Sequence, residues 1–416
     1  MLLSDLKGKK VIIAPFSSEA VILYHMLVQQ GVCVSFFMDK DTAIHDKSYM
    51  DTPIIPYMYL SNGRNDIVVV TAKQGYVNTQ TILFEVLNCG YDKRDIISQE
   101  EIELKYDDFD IYSMINFSQI SSIKDIYFSE LIRKKLFKHT SLNSEGGIIT
   151  DVELHITTKC TLKCKGCAAL IDYFINHQQK DMDFKKSVDT FDFVMNIIDF
   201  AKEFIIIGGE PFIYNDIDKL LIHIAESKYM RKIGKVIFIT NGTVVPKKST
   251  IDIISRYKHI FQILISDYGE SSKKRFELVS ELSKKHISYK SNGKDEWYFV
   301  NQPILPSGEY IPDNVTKKCS VCECGITDAI RIAEGRIYPC HFVLLASRCK
   351  AIPNNRTDYL DIYEDNITVE KLIQFRKEAH IGQWYCSNPS TKDKNKMLHI
   401  PVAEQIDKPI ECKRYE

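Results

Sequence analysis

Short apolar runs alternate with helix-like stripes along the first hundred residues. The runs at 10–14, 32–38 and 66–71 have the length of buried strands. Between and after them, apolar side chains recur three and four positions apart, as on one face of a helix; they are Ala20, Leu23, Tyr24 and Leu27, then Ile82, Leu83, Val86 and Leu87. This alternation predicts an α/β domain with a doubly wound parallel sheet.

Nucleotide binding by such a domain would need a glycine-rich first turn and an acidic residue after the second strand. Asp39 stands in the second position, but the first turn, residues 14–19, contains no glycine. Two interpretations therefore stay open: a nucleotide site, or a docking or scaffold domain in which Asp39 is a solvated turn residue. We assign residues 1–106 to this Rossmann-like domain and 107–147 to a connecting region, whose basic run at 133–135 predicts a solvated helix face.

The same alternation resumes at residue 148, and there each predicted strand leads into glycine or polar residues. Strands are predicted at 149–157, 204–207, 236–240, 263–265 and 287–289. The clearest helical stripe between them falls at Phe184, Val188, Phe191, Met195 and Ile198. Because ligand sites of parallel α/β sheets lie at the carboxyl ends of the strands, we expect the functional site at that edge.

Composition and charge limit the classes of function. The chain has 416 residues, enough for two or three domains. Its 54 Lys plus Arg against 55 Asp plus Glu give no electrostatic reason to expect a nucleic acid or a membrane as partner. The first residues are too polar for a signal peptide, and no run of about eighteen apolar residues would span a bilayer. We therefore expect a cytoplasmic protein whose twelve cysteines bind metal rather than form disulfides.

Three cysteines follow the first strand of this second half with the spacing Cys-x3-Cys-x2-Cys. They are Cys160, Cys164 and Cys167, and the segment Ile207-Gly208-Gly209-Glu210-Pro211 follows the next predicted strand. A cubane iron–sulfur cluster takes four ligands, so three thiolates leave one iron open to a small molecule. Together the motifs resemble the radical S-adenosylmethionine (SAM) superfamily. The resemblance implies a partial (β/α)6 barrel, which we assign to residues 148–302.

The resemblance also implies the chemistry. The three cysteines would hold a [4Fe-4S] cluster that a flavodoxin- or ferredoxin-type protein reduces, and SAM on the open iron would be cleaved to a 5′-deoxyadenosyl radical that removes hydrogen from the substrate. The residues that would bind SAM by resemblance are Gly208, Gly209, Glu210, Pro211, Asn241 and Ser266. One position departs from the family. Gly166 stands where an aromatic residue commonly precedes the third cysteine, so the adenine contact must come from elsewhere.

Simpler structural interpretations exist for the same residues. Three cysteines with a fourth ligand nearby, such as His155, would make a zinc site. The Gly-Gly pair would suit an ordinary strand-to-helix turn, because glycine adopts positive φ easily. Asn241 would suit the turn that it forms with Gly242, and Ser266 would suit a cap.

A second group of cysteines follows residue 303. The spacing from Cys324 to Cys340 resembles the SPASM and twitch extensions, with a single auxiliary iron–sulfur cluster as the better fit, and zinc is the alternative. The resemblance implies that its ligands come from Cys319, Cys322, Cys324, Cys340 and Cys386, and the spacing leaves open which four of them hold the cluster. Cys349 and Cys412 would be inert or would donate a hydrogen atom to a substrate radical. Cys33 and Cys89 are predicted to be small core residues.

The sequence thus predicts a radical SAM enzyme with a SPASM/twitch-like domain at residues 303–416. We expect its substrate to be a small molecule, a sugar or a nucleotide-linked compound. The net reaction would be an oxidation if the auxiliary cluster accepts an electron, and an epimerisation or rearrangement if that cluster only holds the substrate. The first alternative is a peptide-modifying SPASM maturase. The second is an iron–sulfur or zinc protein that binds without catalysing. No residue is assigned a role as general acid or base.

Overall fold

The structure, a computed structural model, describes most of the chain. The described residues are 3–60, 66–70, 76–102, 108–124, 126–139, 147–293, 297–299, 302–320, 329–387 and 398–415. The chain divides into two compact units, Met1–Leu142 and Asn143–Glu416. They are called the N-terminal unit and the C-terminal unit below, and each is described by itself.

The N-terminal unit contains a mixed, largely parallel sheet. Its strands are β1 (Lys10–Ala14), β2 (Val34–Met38), β3 (Ser48–Tyr49), β4 (Thr52–Ile55), β5 (Asp66–Val70) and β6 (Ile96–Ser98), in the spatial order β3-β4-β2-β1-β5-β6. Every pairing is parallel except that of β3 with β4. The strand order reverses between β1 and β5, as in doubly wound sheets. The predicted α/β character of this part is confirmed.

Helices of the N-terminal unit cover the sheet and continue into the predicted connecting region. They are α1 (Ser18–Gln29), α2 (Tyr76–Asn88), α3 (Asp108–Met114), α4 (Phe117–Ile123) and α5 (Ile126–His139). The prediction of a solvated face at 133–135 is wrong for Arg133, which is 1% exposed. Its guanidinium lies 5.3 Å from the ring centre of Phe117, because Ile132 and Leu136 on the same helix belong to the buried core and draw this face inward.

Asp39 closes the first turn of the N-terminal sheet. Its carboxylate accepts hydrogen bonds from the backbone N–H of Phe16 at 3.0 Å and of Asp41 at 2.9 Å. Asp39 is buried, so the prediction of a solvated turn residue is wrong. Two cysteines also differ from expectation. Cys33 is exposed, because it precedes β2 instead of lying on the strand, and Cys89, just after α2, is half-buried.

The C-terminal unit contains an eight-stranded sheet. The strands are β7 (Ile148–Thr157), β8 (Phe200–Gly208), β9 (Ile233–Thr240), β10 (Phe261–Asp267), β11 (Ser288–Gly293), β13 (Ala329–Ala333), β14 (Arg336–Tyr338) and β15 (Leu360–Asp361), and β12 (Trp297–Tyr298) pairs separately with β16 (His399–Ile400). The spatial order is β11-β10-β9-β8-β7-β13-β14-β15. The five predicted strands are confirmed and run parallel, as expected for a partial-barrel sheet.

Three strands of this sheet, β13, β14 and β15, come from the region predicted as a separate extension. β13 pairs with β7 in parallel, with Arg331 beside Glu153, and β14 and β15 then continue antiparallel. Strand β7, which precedes the cysteine loop, therefore lies inside the sheet, between β8 and β13. Strand β7 is hydrogen-bonded to a neighbouring strand along both of its edges, and this pairing fixes where the cysteine loop begins.

Helices of the C-terminal unit alternate with its strands. They are α6 (Phe184–Ile197), α7 (Ile217–Glu226), α8 (Lys248–Arg256), α9 (Arg275–Lys284), α10 (Pro312–Ser320), α11 (His341–Arg348), α12 (Val369–Lys377) and α13 (Ile381–Trp384). The predicted stripe on α6 is confirmed, because Phe191 and Met195 are fully buried in the core and Phe184 and Val188 pack against it. Ile198, the last predicted member, is buried just after the helix ends. Leu154 and Ile156 of β7 belong to the same core.

Candidate functional site

The cysteine loop begins where β7 ends, at the carboxyl edge of the sheet. The backbone N–H of Thr158 donates to the carbonyl of Lys180 at 2.9 Å, and the hydroxyl of Thr157 donates to Asp181 at 2.8 Å. These bonds hold the loop to the segment that follows it. The edge on which the sequence placed the site is therefore the one that carries the cysteines.

The three cysteine thiols lie close enough together to interact electrostatically. Cys164 is buried, and Cys160 and Cys167 are half-buried. Burial raises the pKa of each thiol to about 12, and the neighbouring cysteines contribute to the rise in all three. Such thiols stay protonated near neutral pH unless a cation compensates the thiolate charge, as a bound iron does. The donor set therefore suits a cationic iron–sulfur cluster.

Amide N–H groups point at two of the three sulfurs. The Sγ of Cys160 accepts from the backbone N–H of Leu162 at 3.5 Å and from Nδ2 of Asn241 at 3.4 Å. The Sγ of Cys164 accepts from Nε2 of Gln405 at 3.1 Å. Hydrogen bonds of this kind stabilise the negative charge of a thiolate ligand.

The Gly-Gly pair is packed directly against the cysteine loop. A Cβ built on Gly209 would collide with the carbonyl oxygen of Lys159 and lie 2.8 Å from Cβ of Cys160. A Cβ built on Gly208 would collide with the carbonyl oxygen of Thr157. The N–H of Gly209 donates to that same Thr157 carbonyl at 3.0 Å. Only glycine permits this approach, so the pair is more than an ordinary turn.

Glu210 is fully buried behind the Gly-Gly pair. Its carboxylate accepts from the backbone N–H of Phe212 at 3.1 Å, from that of Asn241 at 2.9 Å and from the hydroxyl of Thr240 at 2.9 Å. Burial raises its pKa to about 7. Pro211 then opens a short 3₁₀ turn, Pro211–Ile213. The carboxylate thus joins the ends of β8 and β9.

The two remaining predicted SAM ligands, Asn241 and Ser266, lie at the ends of β9 and β10. The amide oxygen of Asn241 accepts from the N–H of Thr243 at 3.0 Å, which fixes its nitrogen towards Cys160. The hydroxyl of Ser272 donates to the backbone carbonyl of Asn241 at 2.7 Å and lies 3.3 Å from the backbone carbonyl of Ser266. The predicted turn at Asn241 is therefore present, and its side chain also contacts the cysteine loop.

Tyr268 belongs to the site but was missed by sequence reasoning. Its pKa is raised by burial, with smaller contributions from the neighbouring thiols of Cys167, Cys164 and Cys160. Its ring packs edge-on against Trp297, with 5.2 Å between centroids. The available signal was its position just past the carboxyl end of a predicted strand, where side chains contribute to a site rather than to the core of the sheet.

Two side chains from distant segments occupy the space beside Gly166. A Cβ built on this residue, whose φ is +68°, would collide with Cδ1 of Ile400 and lie 3.1 Å from Cδ2 of Phe299. Position 166 therefore has no room for an aromatic side chain. Phe299 and Ile400 take that place, and neither was predicted from the sequence.

His155, the suggested fourth zinc ligand, lies beside Glu153 and does not join the three cysteines in a metal-binding group. His155 is buried on β7, with Nε2 3.7 Å from a carboxylate oxygen of Glu153. Within the described ranges, no three Cys, His, Asp or Glu side chains lie close enough to hold one metal ion. Cubane ligands do not need that closeness, because each thiolate binds a different iron.

The C-terminal cysteines are placed only in part. Cys319 lies in α10, Cys340 precedes α11, and Cys386 is buried after α13, whereas Cys322 and Cys324 fall outside the described residues. Cys340 and Cys386 share one hydrophobic core cluster with Cys349, and Cys412 packs against it.

A polar cavity of about 220 Å3 opens near the end of β7. Its lining includes Thr158, Gln178, Lys180, Glu334, Arg336 and Arg348. Three of these side chains are cationic and one is anionic, and Glu334 pairs with Arg348 at 3.1 Å and with Lys180 at 3.5 Å. The lining therefore suits a polar ligand that carries negative charge.

The parallel α/β sheet of the C-terminal unit thus carries three thiols and a Gly-Gly-Glu turn at its carboxyl edge. Residues 154–288 match the family model described as the Radical SAM superfamily. This match lies within the C-terminal unit and covers less than half of the chain.

Several solved structures are similar to parts of this chain at low sequence identity. "Native anSMEcpe with bound AdoMet" is 14% identical, with a TM-score of 0.38 over 59% of this chain and 86% of that one. "Native anSMEcpe with bound AdoMet and Cp18Cys peptide" is also 14% identical, with a TM-score of 0.35 over 56% and 84%. Streptococcus suis SuiB bound to S-adenosylmethionine is 17% identical, with a TM-score of 0.31 over 57% and 67%.

No curated protein matches the chain. Among the helices of the described ranges, none has the length and apolar character needed to cross a membrane.

Proposed function

We propose that this chain is a radical SAM enzyme that removes a hydrogen atom from a small polar substrate. The observation that carries the proposal is the packing of Gly209 onto the loop of Cys160, which a Cβ would prevent. A [4Fe-4S] cluster held by Cys160, Cys164 and Cys167 would supply the one electron for reductive cleavage of SAM to methionine and a 5′-deoxyadenosyl group, which would leave as 5′-deoxyadenosine after taking the hydrogen atom.

The roles of the chain's own residues follow from their places. Cys160, Cys164 and Cys167 would hold the cluster, and the segment Gly208–Pro211 would receive the methionine end of SAM beside it. Asn241 and Ser266, at the next two strand ends, would bound the remainder of SAM. Glu210 holds the ends of β8 and β9 together through its buried hydrogen bonds, so its role is to position the site rather than to transfer protons.

The polar cavity supports a small, negatively charged substrate. Its volume of about 220 Å3 is below the range of about 300–1,000 Å3 of pockets that hold drug-sized ligands, which favours a group the size of one sugar ring. Lys180, Arg336 and Arg348 outnumber Glu334 and Asp361, the carboxylates that pair with them, and this positive excess favours a phosphate or carboxylate. A sugar or a nucleotide-linked compound meets both conditions.

The C-terminal extension is proposed to bind one auxiliary iron–sulfur cluster. Its ligands would come from Cys319, Cys322, Cys324, Cys340 and Cys386. We keep 148–302 as the radical SAM core, 303–416 as the extension and 1–106 as a Rossmann-like domain. A flavodoxin- or ferredoxin-type protein is the proposed electron donor.

Formation of 5′-deoxyadenosine tests the proposal. Anaerobically reconstituted protein is mixed with SAM and a strong reductant, and the wild type is compared with the triple variant Cys160→Ala/Cys164→Ala/Cys167→Ala. The exposed Cys33→Ala serves as the matched control. Product from the wild type and the control only is the expected result. An assembled, reducible triad cluster that yields no product would favour the non-catalytic alternative.

A second experiment tests the substrate class. Deuterium-labelled nucleotide-diphosphate sugars and deuterium-labelled synthetic peptides are supplied separately, and deuterium transfer into 5′-deoxyadenosine is measured by mass spectrometry. Transfer from the sugars supports the proposal, and the variant Arg348→Ala should then weaken it. Transfer from peptides alone would replace the proposed substrate with the peptide-modifying alternative.

A further inference from the structure

The C-terminal segment pairs with the cysteine loop from about 240 positions away in sequence. The N–H of Lys165 donates to the carbonyl of Glu404 at 2.8 Å, and the N–H of Ile406 donates to the carbonyl of Lys163 at 3.0 Å. Between these bonds, Cys164 and Gln405 form an antiparallel β-bridge. The loop that carries the second cysteine of the triad thus has a strand-like partner supplied by the end of the chain.

The side chain of Gln405 has one possible orientation in this arrangement. Its oxygen accepts from the backbone N–H of Lys163 at 2.9 Å. Its nitrogen donates to the carbonyl of Ala403 at 2.7 Å and to Sγ of Cys164 at 3.1 Å. Exchanging the oxygen and the nitrogen would set the NH2 against an N–H and the oxygen against a carbonyl. The N–H that reaches the sulfur is therefore fixed by its neighbours.

We propose that Gln405 is a positioning residue that raises the reduction potential of the cluster bound by the triad. The inference rests on the proposed function. On reduction, the cluster gains one electron from the flavodoxin- or ferredoxin-type donor, and the added negative charge spreads onto its thiolate sulfurs. An N–H donor at Cys164 stabilises that charge more in the reduced state than in the oxidised state. Cys164 is only 5% exposed, so water replaces the donor poorly.

Redox titration of the reconstituted full chain, followed by electron paramagnetic resonance, tests this inference. Gln405→Met keeps the length and shape of the side chain but removes the donor. We expect about a fivefold lower ratio of reduced to oxidised cluster at a given potential, which corresponds to a midpoint about 40 mV more negative for a one-electron couple. The adjacent Glu404→Gln is the matched control, because its side chain pairs with Lys165 at 3.4 Å and lies on the same segment.

Each outcome bears on the inference. A lower midpoint in Gln405→Met with an unchanged midpoint in Glu404→Gln supports it. Equal midpoints in wild type and Gln405→Met, at equal iron content, would overturn it while leaving the proposed function intact. Equal shifts in both variants would also overturn it, since they would reflect loosening of the C-terminal segment. If the wild-type triad assembles no cluster, the proposed function and this inference both fail. If Gln405→Met loses the cluster, Gln405→Asn, whose shorter amide is withdrawn from the sulfur, takes its place.

Discussion

The hydroxyl of Thr240 lies 2.9 Å from both carboxylate oxygens of Glu210. The contact joins the last residue of β9 to the residue that follows the Gly-Gly pair after β8. Both side chains are buried, at 1% and 0% exposure. The position of the Gly-Gly-Glu turn therefore depends on a hydrogen bond made by the neighbouring strand.

Replacement of Thr240 by Val should destabilise the C-terminal unit. Valine keeps the shape but leaves a buried carboxylate without one of its donors, at a cost of about 1–3 kcal/mol in the free energy of unfolding. Thr240→Ser keeps the hydroxyl and should lose less. Urea unfolding of the three proteins measures the difference. A Thr240→Val protein as stable as wild type would show that this contact contributes nothing.

Replacement of Gly209 by Ala should prevent cluster assembly. The new Cβ would collide with the Lys159 carbonyl, and backbone is far less able to move aside than the end of a flexible side chain. Gly293→Ala is the control, because a Cβ there meets nothing within 4 Å. We expect the iron and sulfide content after reconstitution to fall in Gly209→Ala and stay at the wild-type level in the control. Full iron content in Gly209→Ala would contradict the close fit.

Local pattern was sufficient to predict the strands and the edge that carries the site. A continuous apolar run as short as 204–207 is too short for a buried helix and therefore predicts a buried strand. When such strands are parallel, their carboxyl ends meet at one edge of the sheet. The cysteines and the Gly-Gly-Glu segment were therefore placed correctly relative to the sheet. Their side-chain partners were not predictable, because they come from other strand ends.

The features that the sequence did not reveal depend on contacts between residues far apart in the chain. β13 is five residues long and includes Arg331, so nothing local indicates that it joins β7 from the opposite side to β8. Gln405 and Ile400 lie in a segment without helical or strand periodicity and become part of the site only through tertiary contacts. Arg133 was misassigned because a charge run says nothing about which of its members shares a helix face with the core.

Removal of Cys340 or Cys386 should lower the iron content if the proposed auxiliary cluster forms. Loss of one ligand leaves the triad cluster in place, so iron should fall by about four atoms per chain. Cys33→Ala is the control, since Cys33 is exposed. Iron quantification and Mössbauer spectroscopy after reconstitution give the result. Unchanged iron in both variants would remove these two cysteines from the ligand set.

His25 should make the N-terminal unit sensitive to acid. It is 4% exposed and its Nε2 lies 2.7 Å from the hydroxyl of Tyr49. Burial lowers its pKa from 6.5 to about 4. Between these values the unfolded chain binds a proton that the folded chain does not bind, so stability is full above about pH 6.5 and declines as the pH falls towards 4. A shift of this size corresponds to about 3 kcal/mol at its limit.

Replacement of His25 by Gln should remove this part of the pH dependence. Glutamine keeps a polar group near Tyr49 but does not titrate, so its unfolding free energy should change less between pH 7 and pH 5 than that of wild type. The exposed His177 provides the control substitution, His177→Gln, which should leave the wild-type slope in place. Urea unfolding followed at several pH values by fluorescence of a probe attached to Cys33, in the N-terminal unit, measures the slopes. Equal slopes for wild type and His25→Gln would mean that His25 does not contribute to the acid sensitivity. The imidazole would then become exposed to water before the N-terminal unit unfolds.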